Sequence, residues 1–423
     1  MDPAQIASVV VFVVVMTLVV SEKVHRALAA VLGAMDLILI HILSFETAVH
    51  HIDFNTLAVL FGMMLFVAVV KRSGLFEVLS VMCVRGARGN PWRIMLLLVL
   101  LTAVLSALLD NVTTVLLIGP MTITICKLLD LDPLPYFMTE ILSSNIGGTA
   151  TLVGDPPNIM IGSAAGFSFA DFLVYDAPVV VVILAVVLVI FYFLYGRKMS
   201  VSDRSVQKVM ELDAGSYVKS GRLLKLSVAM IAVVVAGFMM HEQLGVESGV
   251  VAMTAGGLML LLSREPIEEA LLDVEWTTLV FFAGLFIVVG ALSETGVILL
   301  LANALIDATQ GNLFALMMIL LIGSAVISSF LDNIPFVATM IPILLAIEAT
   351  GMDVTPLWWS LSLGACLGGN GTLIGASANV VLSDVAKKNG YELTFLTFLK
   401  TGFPLMLLTV LIAGAYLMVR FPV

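Results

Sequence analysis

Long apolar runs separated by short polar clusters recur from Ile6 to Val419. Each is about 15 to 20 residues, the length a helix needs to cross a bilayer core. None shows the period-two alternation of a barrel strand. The pattern predicts helices over residues 5–20, 28–44 and 55–71, a hairpin over 94–126, a broken crossing over 135–165 and a helix over 177–195. Two spacer helices, 224–240 and 247–263, follow before the pattern repeats. The chain thus divides into N-terminal helices (1–54), a first repeat (55–195), a linker (196–223), a spacer region (224–274) and a second repeat (275–423).

The repeats share polar letters as well as apolar ones. Asp110 and Asp332 set the offset between them, and at that offset Leu109-Asp110-Asn111-Val112 falls on Leu331-Asp332-Asn333-Ile334. The same offset carries Leu57-Ala58-Val59-Leu60-Phe61-Gly62-Met63 onto Leu279-Val280-Phe281-Phe282-Ala283-Gly284-Leu285, and Ser73-Gly74 onto Thr295-Gly296. After one deletion, Gly147-Gly148-Thr149-Ala150-Thr151-Leu152-Val153-Gly154 falls on Gly368-Gly369-Asn370-Gly371-Thr372-Leu373-Ile374-Gly375, and Asn158 on Asn379. Apolar helices resemble one another by chance, but matched Asp, Asn, Gly and Thr positions mark an internal repeat.

Composition places the chain in lipid: 61% of the 423 residues are apolar, 12% are charged and the mean hydropathy is +1.13, more than a soluble core uses. Met1-Asp2-Pro3 offers no basic n-region and no small-residue cleavage site clearly follows, so the first run reads as a retained helix. Cys83, Cys126 and Cys366 lie too far apart for a CxxC metal site or a disulfide framework.

In membranes the positions of Lys and Arg say more than the net charge of −10. If hairpins return to their own side and broken helices cross once, every Lys and Arg except Arg420 falls on one side. They run from Lys71, Arg72, Arg85, Arg88, Arg93 and Lys127, through the seven from Arg197 to Lys225, to Arg264, Lys387, Lys388 and Lys400. The positive-inside rule makes that side the cytoplasmic face of an inner membrane, with both termini outside. Residues 72–93 form a basic loop whereas the equivalent loop 293–311 has no Lys or Arg, so the repeats are inverted. Trp92, Trp276, Trp358 and Trp359 fall at segment ends, as an interfacial aromatic belt requires. The linker reads as a solvated tether.

An ionised carboxylate at membrane depth costs about 2.5 to 3.5 kcal/mol on insertion scales and is tolerated where it faces a polar cavity. Asp110 and Asp332 fit that description, each at the tip of a hairpin, with Asn111, Thr113, Thr114 and Asn333 as neutral neighbours. Each acid also suits the cap of the helix that follows, and the two roles can coexist. Ser143-Ser144-Asn145-Ile146-Gly147-Gly148-Thr149-Ala150-Thr151 and Gly368-Gly369-Asn370-Gly371-Thr372 are poor helix interiors and are expected to unwind. Broken transmembrane helices present backbone groups and half-helix ends to ions and polar solutes near the midplane. The alternative is close helix packing through small residues.

The symmetry fails at Asp155. Gly154-Asp155-Pro156-Pro157-Asn158 stands opposite Gly375-Ala376-Ser377-Ala378-Asn379, so this acid has no counterpart. A unique buried acid is a natural proton carrier, and the competing role is a cap before a helix begun by Pro. Asp36 and Glu140 are further acids in or beside apolar segments. His41, His50 and His51 sit at an external edge without metal spacing. No Lys or Arg is placed in the cavity, which favours a neutral or cationic solute over a multiply charged anion. No P-loop, nucleophile-base pair or metalloenzyme motif is present, which argues against an ATPase or hydrolase.

Asn145-Ile146-Gly147-Gly148-Thr149-Ala150-Thr151 running into Gly154-Asp155-Pro156-Pro157-Asn158, with Asp332-Asn333-Ile334-Pro335 and the stretch from Gly364 to Asn379, resembles the ArsB/NhaD/P-protein branch of the ion-transporter superfamily, CitMHS-like proteins included. The resemblance spans about residues 20 to 420 and is nearest in wording to the P-protein type. It implies an all-α polytopic membrane protein of two inverted repeats, each with a re-entrant hairpin and an interrupted helix. It further implies a scaffold and a transport domain, an elevator-like movement and a homodimer. By the same resemblance the binding residues are Asp110, Asn111, Asn145, Thr149, Thr151, Asp155 and Asn158, with Asp332, Asn333, Asn370, Thr372, Ser377 and Asn379. Thr113, Gly147, Gly148, Gly368 and Gly369 join them from the reading of the tips and breaks. Asp155, Asp110 and Asp332 are the proton-coupling candidates.

The expected activity is proton-coupled efflux of arsenite or antimonite, without a cofactor and with H+ or Na+ as coupling ion. Sodium/proton antiport is the first alternative, and cation-coupled movement of small anions or carboxylates the second. A channel would lack uphill flux, and inverted repeats favour a carrier. Nothing points to nucleic acid, and a peripheral ATPase partner is left open. Cys366, opposite Asn145, would give arsenite a single soft ligand.

Overall fold

The computed structural model describes residues 1–21 and 23–422, and leaves the side chain of Arg204 undescribed. Among the described residues every regular element is helical. Among the described residues nine helices are long and apolar enough to cross a membrane, or ten if Pro156–Ala165 and Phe169–Tyr175, bent by 109°, form one span.

The expected hairpins form as two long helices joined by a two-residue link: Pro91–Leu108 to Asn111–Leu129, and Leu313–Phe330 to Asn333–Glu348. Asn90 and Asn312 cap the outgoing arms, accepting from the amides of Arg93 and Ala315. Pro120 and Pro342, related by the repeat offset, lie inside the two return arms. The breaks form where Gly and Thr deny the chain helix propensity. Leu134–Gly148 stops before Pro156–Ala165, and Thr355–Gly368 before Ser377–Lys388.

Packing repeats with the sequence. Phe54–Lys71 lies along Ser248–Ser263, as Trp276–Glu294 lies along Arg26–Leu39. Each hairpin's outgoing arm packs on its own broken helix: Pro91–Leu108 on Leu134–Gly148, Leu313–Phe330 on Thr355–Gly368. The return arms cross over. Asn111–Leu129 meets Ser377–Lys388, and Asn333–Glu348 meets Pro156–Ala165. The second half of each break therefore rests on the other repeat's hairpin.

Three expectations need correction. The stretches 72–93 and 293–311 are not simple loops, because helices Leu75–Gly86 and Val297–Thr309 form there, too short to span a bilayer. Gly74 and Gly296 start them with φ of +80° and +77°, the left-handed region a Cβ disfavours. The linker is docked rather than free: Val209 of Asp203–Met210 is buried, Val206 lies against Gly89, and the Tyr217 carbonyl lies where a Gly74 Cβ would point. Only Trp276 of the four tryptophans is strongly exposed. Trp358 and Trp359 are buried, the latter stacked between Phe167 and Tyr175 with ring centroids 4.6 and 4.7 Å away.

Candidate functional site

Both hairpin tips and both breaks converge on one cavity of about 40 Å³. Its polar lining is Arg26, Asp110, Asn111, Asp155, Glu275, Thr278, Asn333 and Ser377; Leu60, Met63, Ile159 and Ile334 are among the apolar residues. At about 10–15 Å³ of such space per water, the cavity suits a small ion with one or two waters.

Asp155 is the centre of this arrangement. It is 1% exposed and stands at the start of Pro156–Ala165, but its side chain makes no capping bond. The carboxylate instead accepts from Asn111 Nδ2 at 3.3 Å and from Asn333 Nδ2, which reaches Oδ1 at 3.3 Å and Oδ2 at 3.1 Å. One amide comes from each hairpin tip. Among the described residues no Lys, Arg or His pairs with it.

Asp110 and Asp332 do cap their helices. Asp110 Oδ1 accepts from Thr113 N at 2.7 Å and Oδ2 from Thr113 Oγ1, while Asp332 Oδ1 accepts from Ile334 N at 3.1 Å. Capping consumes part of each carboxylate and leaves the rest for the cavity or its mouth. Asp332 Oδ2 also accepts from Ser377 Oγ at 2.7 Å.

Asn145 joins the two breaks, donating to Asn370 Oδ1 and Asn379 Oδ1, both at 2.9 Å. Asn370 in turn donates to the Leu142 carbonyl at 3.3 Å. Asn158 and Asn379 hold the unwound backbone: Asn158 donates to the Thr149 and Thr151 carbonyls at 3.2 and 3.0 Å, Asn379 to those of Gly369 and Thr372 at 2.7 and 2.9 Å. Thr151 and Thr372 donate to the Ala107 and Ser329 carbonyls, tying each break to its hairpin tip. Thr149 bonds back to the Asn145 carbonyl at 2.8 Å.

The glycines act by packing. A Cβ on Gly147 would lie 2.2 Å from the Ala103 carbonyl oxygen, and one on Gly368 2.6 Å from that of Ala325. Gly148 faces the Gly154 carbonyl and Gly369 the Ala376 side chain. None of the four lines the cavity. Buried Glu140 bonds Thr122 away from the site, and Asp36 is exposed. Cys366 Sγ lies 3.4 Å from Asn158 Oδ1.

Two residues escape a reading of the sequence alone. Arg26, assigned to a basic loop, lines the cavity, which corrects the expectation that no Lys or Arg lies there. Glu275, which the repeat offset places opposite Asp53, caps nothing and accepts from Thr278 Oγ1 at 2.9 Å. The signal for Glu275 is present in that match, because both acids stand three positions before a Thr that bonds them.

Larger vestibules flank the cavity. One of about 330 Å³ is lined by His25, Arg26, Asp332, Ile374 and Ser377; the other, about 340 Å³, by His51, Asp53, Ser163, Gly290 and Ser293. Ile159 lines the cavity and Ser163 the second vestibule, one helical turn apart.

A polytopic helical fold with paired hairpins, paired broken helices and buried polar side chains between them defines a secondary membrane transporter. Residues 16–364 match the CitMHS family, described as citrate transporter, and the chain belongs to that family. An uncharacterized transporter of Mycobacterium tuberculosis and a 46 kDa membrane protein of Mycobacterium leprae are each 40% identical, with 98% of this chain and 98 or 99% of theirs covered. The human P protein is 33% identical over 96% of this chain and 58% of its own length. The fold matches the YdaH transporter of Alcanivorax borkumensis, with a TM-score of 0.63 at 16% identity, over 100% of this chain and 99% of that one. The resemblance to the P-protein type read from the motifs is thus borne out.

Proposed function

We propose that the protein is a cation-coupled secondary transporter whose coupling ion, H+ or Na+, binds at Asp155, and that sodium/proton exchange is its transport reaction. The observation that carries this is the setting of Asp155, a buried carboxylate met by two neutral amides and by no basic side chain among the described residues. A carboxyl group so placed is compensated either by a proton or by a small bound cation. Competition between the two at one site is what exchange requires. Asp110 and Glu275 add acidic lining, and the cavity volume of about 40 Å³ suits a monovalent ion.

Cation-coupled transport of a small anion or carboxylate is the second reading. Arg26 in the cavity lining favours it, as does the family's description. Efflux of arsenite or antimonite draws its support from the resemblance alone, since a neutral solute gains nothing from Arg26 and the acids around it. The inner-membrane orientation with both termini outside rests on the Lys and Arg distribution, and the homodimer and elevator movement rest on the resemblance.

Liposomes carrying the purified protein and a pH gradient, read by an enclosed dye, test the reading when Na+, Li+, arsenite and citrate are added in turn. Dissipation of the gradient by Na+ or Li+ supports exchange. A response to citrate alone supports the second reading, and a response to arsenite alone sinks both.

A further inference from the structure

Arg26 bridges parts of the fold that pack separately. It opens the helix that lies along Trp276–Glu294, and it reaches across to the second hairpin tip and the second break. Nη2 donates to Thr278 Oγ1 at 3.1 Å, and Nη1 donates to Ser377 Oγ at 2.9 Å and lies 3.6 Å from Asp332 Oδ2. The guanidinium also rests over Phe281, 5.5 Å from its ring centroid. Arg26 and Ser377 line both the central cavity and the vestibule beside His25, so they form the partition between the two.

The internal repeat gives this contact its meaning. The repeat offset places Ser248 opposite Arg26, and Ser248 likewise opens a helix packed along the other repeat's long helix. Ser248 is neutral and receives a bond from Asn55 at 3.3 Å. Among the described residues Asp110, the counterpart of Asp332, has no basic partner. One repeat therefore carries a fixed cation at its hairpin acid and the other does not.

We propose that Arg26 is a one-sided latch: it acts as resident counter-ion to Asp332, keeps the partition to the His25 vestibule closed, and is released when a monovalent cation takes its place at Asp332. A carboxylate that keeps a guanidinium partner needs no other cation, whereas one that gains a metal ion loses its attraction for the arginine. Ser377 and Thr278, left by Arg26, then offer hydroxyl oxygens at the opened mouth. The identity of the releasing cation rests on the exchange reading above; the latch itself does not.

The test uses the full chain with Val153→Cys, a buried cavity-lining position, in a Cys83→Ala background, so that a small water-soluble thiol reagent reports access to the cavity. Arg26→Gln is expected to speed labelling by about tenfold to a hundredfold, the range that one hydrogen bond to a charged group covers. Arg26→Lys, which keeps the charge but not the fork, is expected to fall between. Na+ added to the Arg26-containing protein should speed labelling, and should do so little in Arg26→Gln. Equal labelling rates with Arg26 and with Gln would overturn the latch. Faster labelling in Arg26→Gln with no effect of Na+, Li+ or H+ on the Arg26 protein would leave Arg26 a fixed partition and overturn its release by a cation at Asp332, without bearing on exchange at Asp155, which transport in liposomes reads separately. Melting temperatures of the variants separate loss of the latch from loss of the fold.

Discussion

Asn333, at the second hairpin tip, donates its side-chain amide to both carboxylate oxygens of Asp155 in the first break, at 3.3 and 3.1 Å. The residue that breaks the internal symmetry is thus held by a residue that obeys it. Asn111, the counterpart of Asn333, donates to the same carboxylate at 3.3 Å. Asn333→Ala is expected to cost about 1–3 kcal/mol by leaving a buried acceptor short of a donor. It should also weaken the response to the coupling ion while leaving maximal transport in place at saturating ion. Thermal melting and the ion dependence of transport check the two effects separately.

Asp110 has two roles that one substitution divides. Asn caps a helix about as well as Asp, whereas Ala costs about 1 kcal/mol at a cap. Asp110→Asn is expected to melt near the wild-type temperature, with the ion response weakened by loss of the charge. Asp110→Ala is expected to lower both. Transport by Asp110→Asn indistinguishable from wild type would reduce Asp110 to a cap.

Gly147 and Gly368 occupy matched positions where each break presses on its own hairpin. A methyl group would meet backbone in both cases, 2.2 Å from the Ala103 oxygen and 2.6 Å from the Ala325 oxygen. Backbone cannot swing aside as a side chain can, so overpacking costs typically about 1–3 kcal/mol or more. Gly147→Ala and Gly368→Ala are expected to reduce the yield of folded protein, while Gly257→Ala, with nothing near its added Cβ, should not. Size-exclusion profiles of the three variants give the comparison.

The repeat and its consequences are legible in the amino-acid sequence because both copies spell the same polar letters. Leu-Asp-Asn locates the tips, and the Gly-Thr clusters locate the breaks, including the Asn158 and Asn379 side chains that hold them. What stays hidden depends on contacts between distant segments. Arg26 meets Ser377 across 351 positions, and a basic residue near Lys23 reads as an ordinary cytoplasmic loop. Trp358 and Trp359 sit at a segment end in sequence, yet Phe167 and Tyr175 cover Trp359, and only the tertiary packing reveals this. The short helices after Gly74 and Gly296 are hidden for a different reason: at 12 and 13 residues their apolar runs fall short of a membrane span and so read as part of the loops between spans.

Cys366 stands in the polar cluster but off the cavity wall, 3.4 Å from Asn158 Oδ1. A single thiol is one soft ligand, and buried cysteine acts chiefly as a small apolar residue. Cys366→Ala is expected to keep transport within about twofold of wild type, since removal of a weak S–H donor costs little. Loss of transport for arsenite but not for Na+ in this variant would restore a metalloid role to the thiol.

Proton release on addition of Na+ to the purified protein in weakly buffered detergent, compared between wild type and Asp155→Asn, tests the central claim most directly. The account predicts that wild type releases protons as Na+ is added, and that Asp155→Asn, which keeps the shape and relieves an uncompensated buried charge, folds but releases none. Equal release from both proteins would remove Asp155 as the site where the two ions compete.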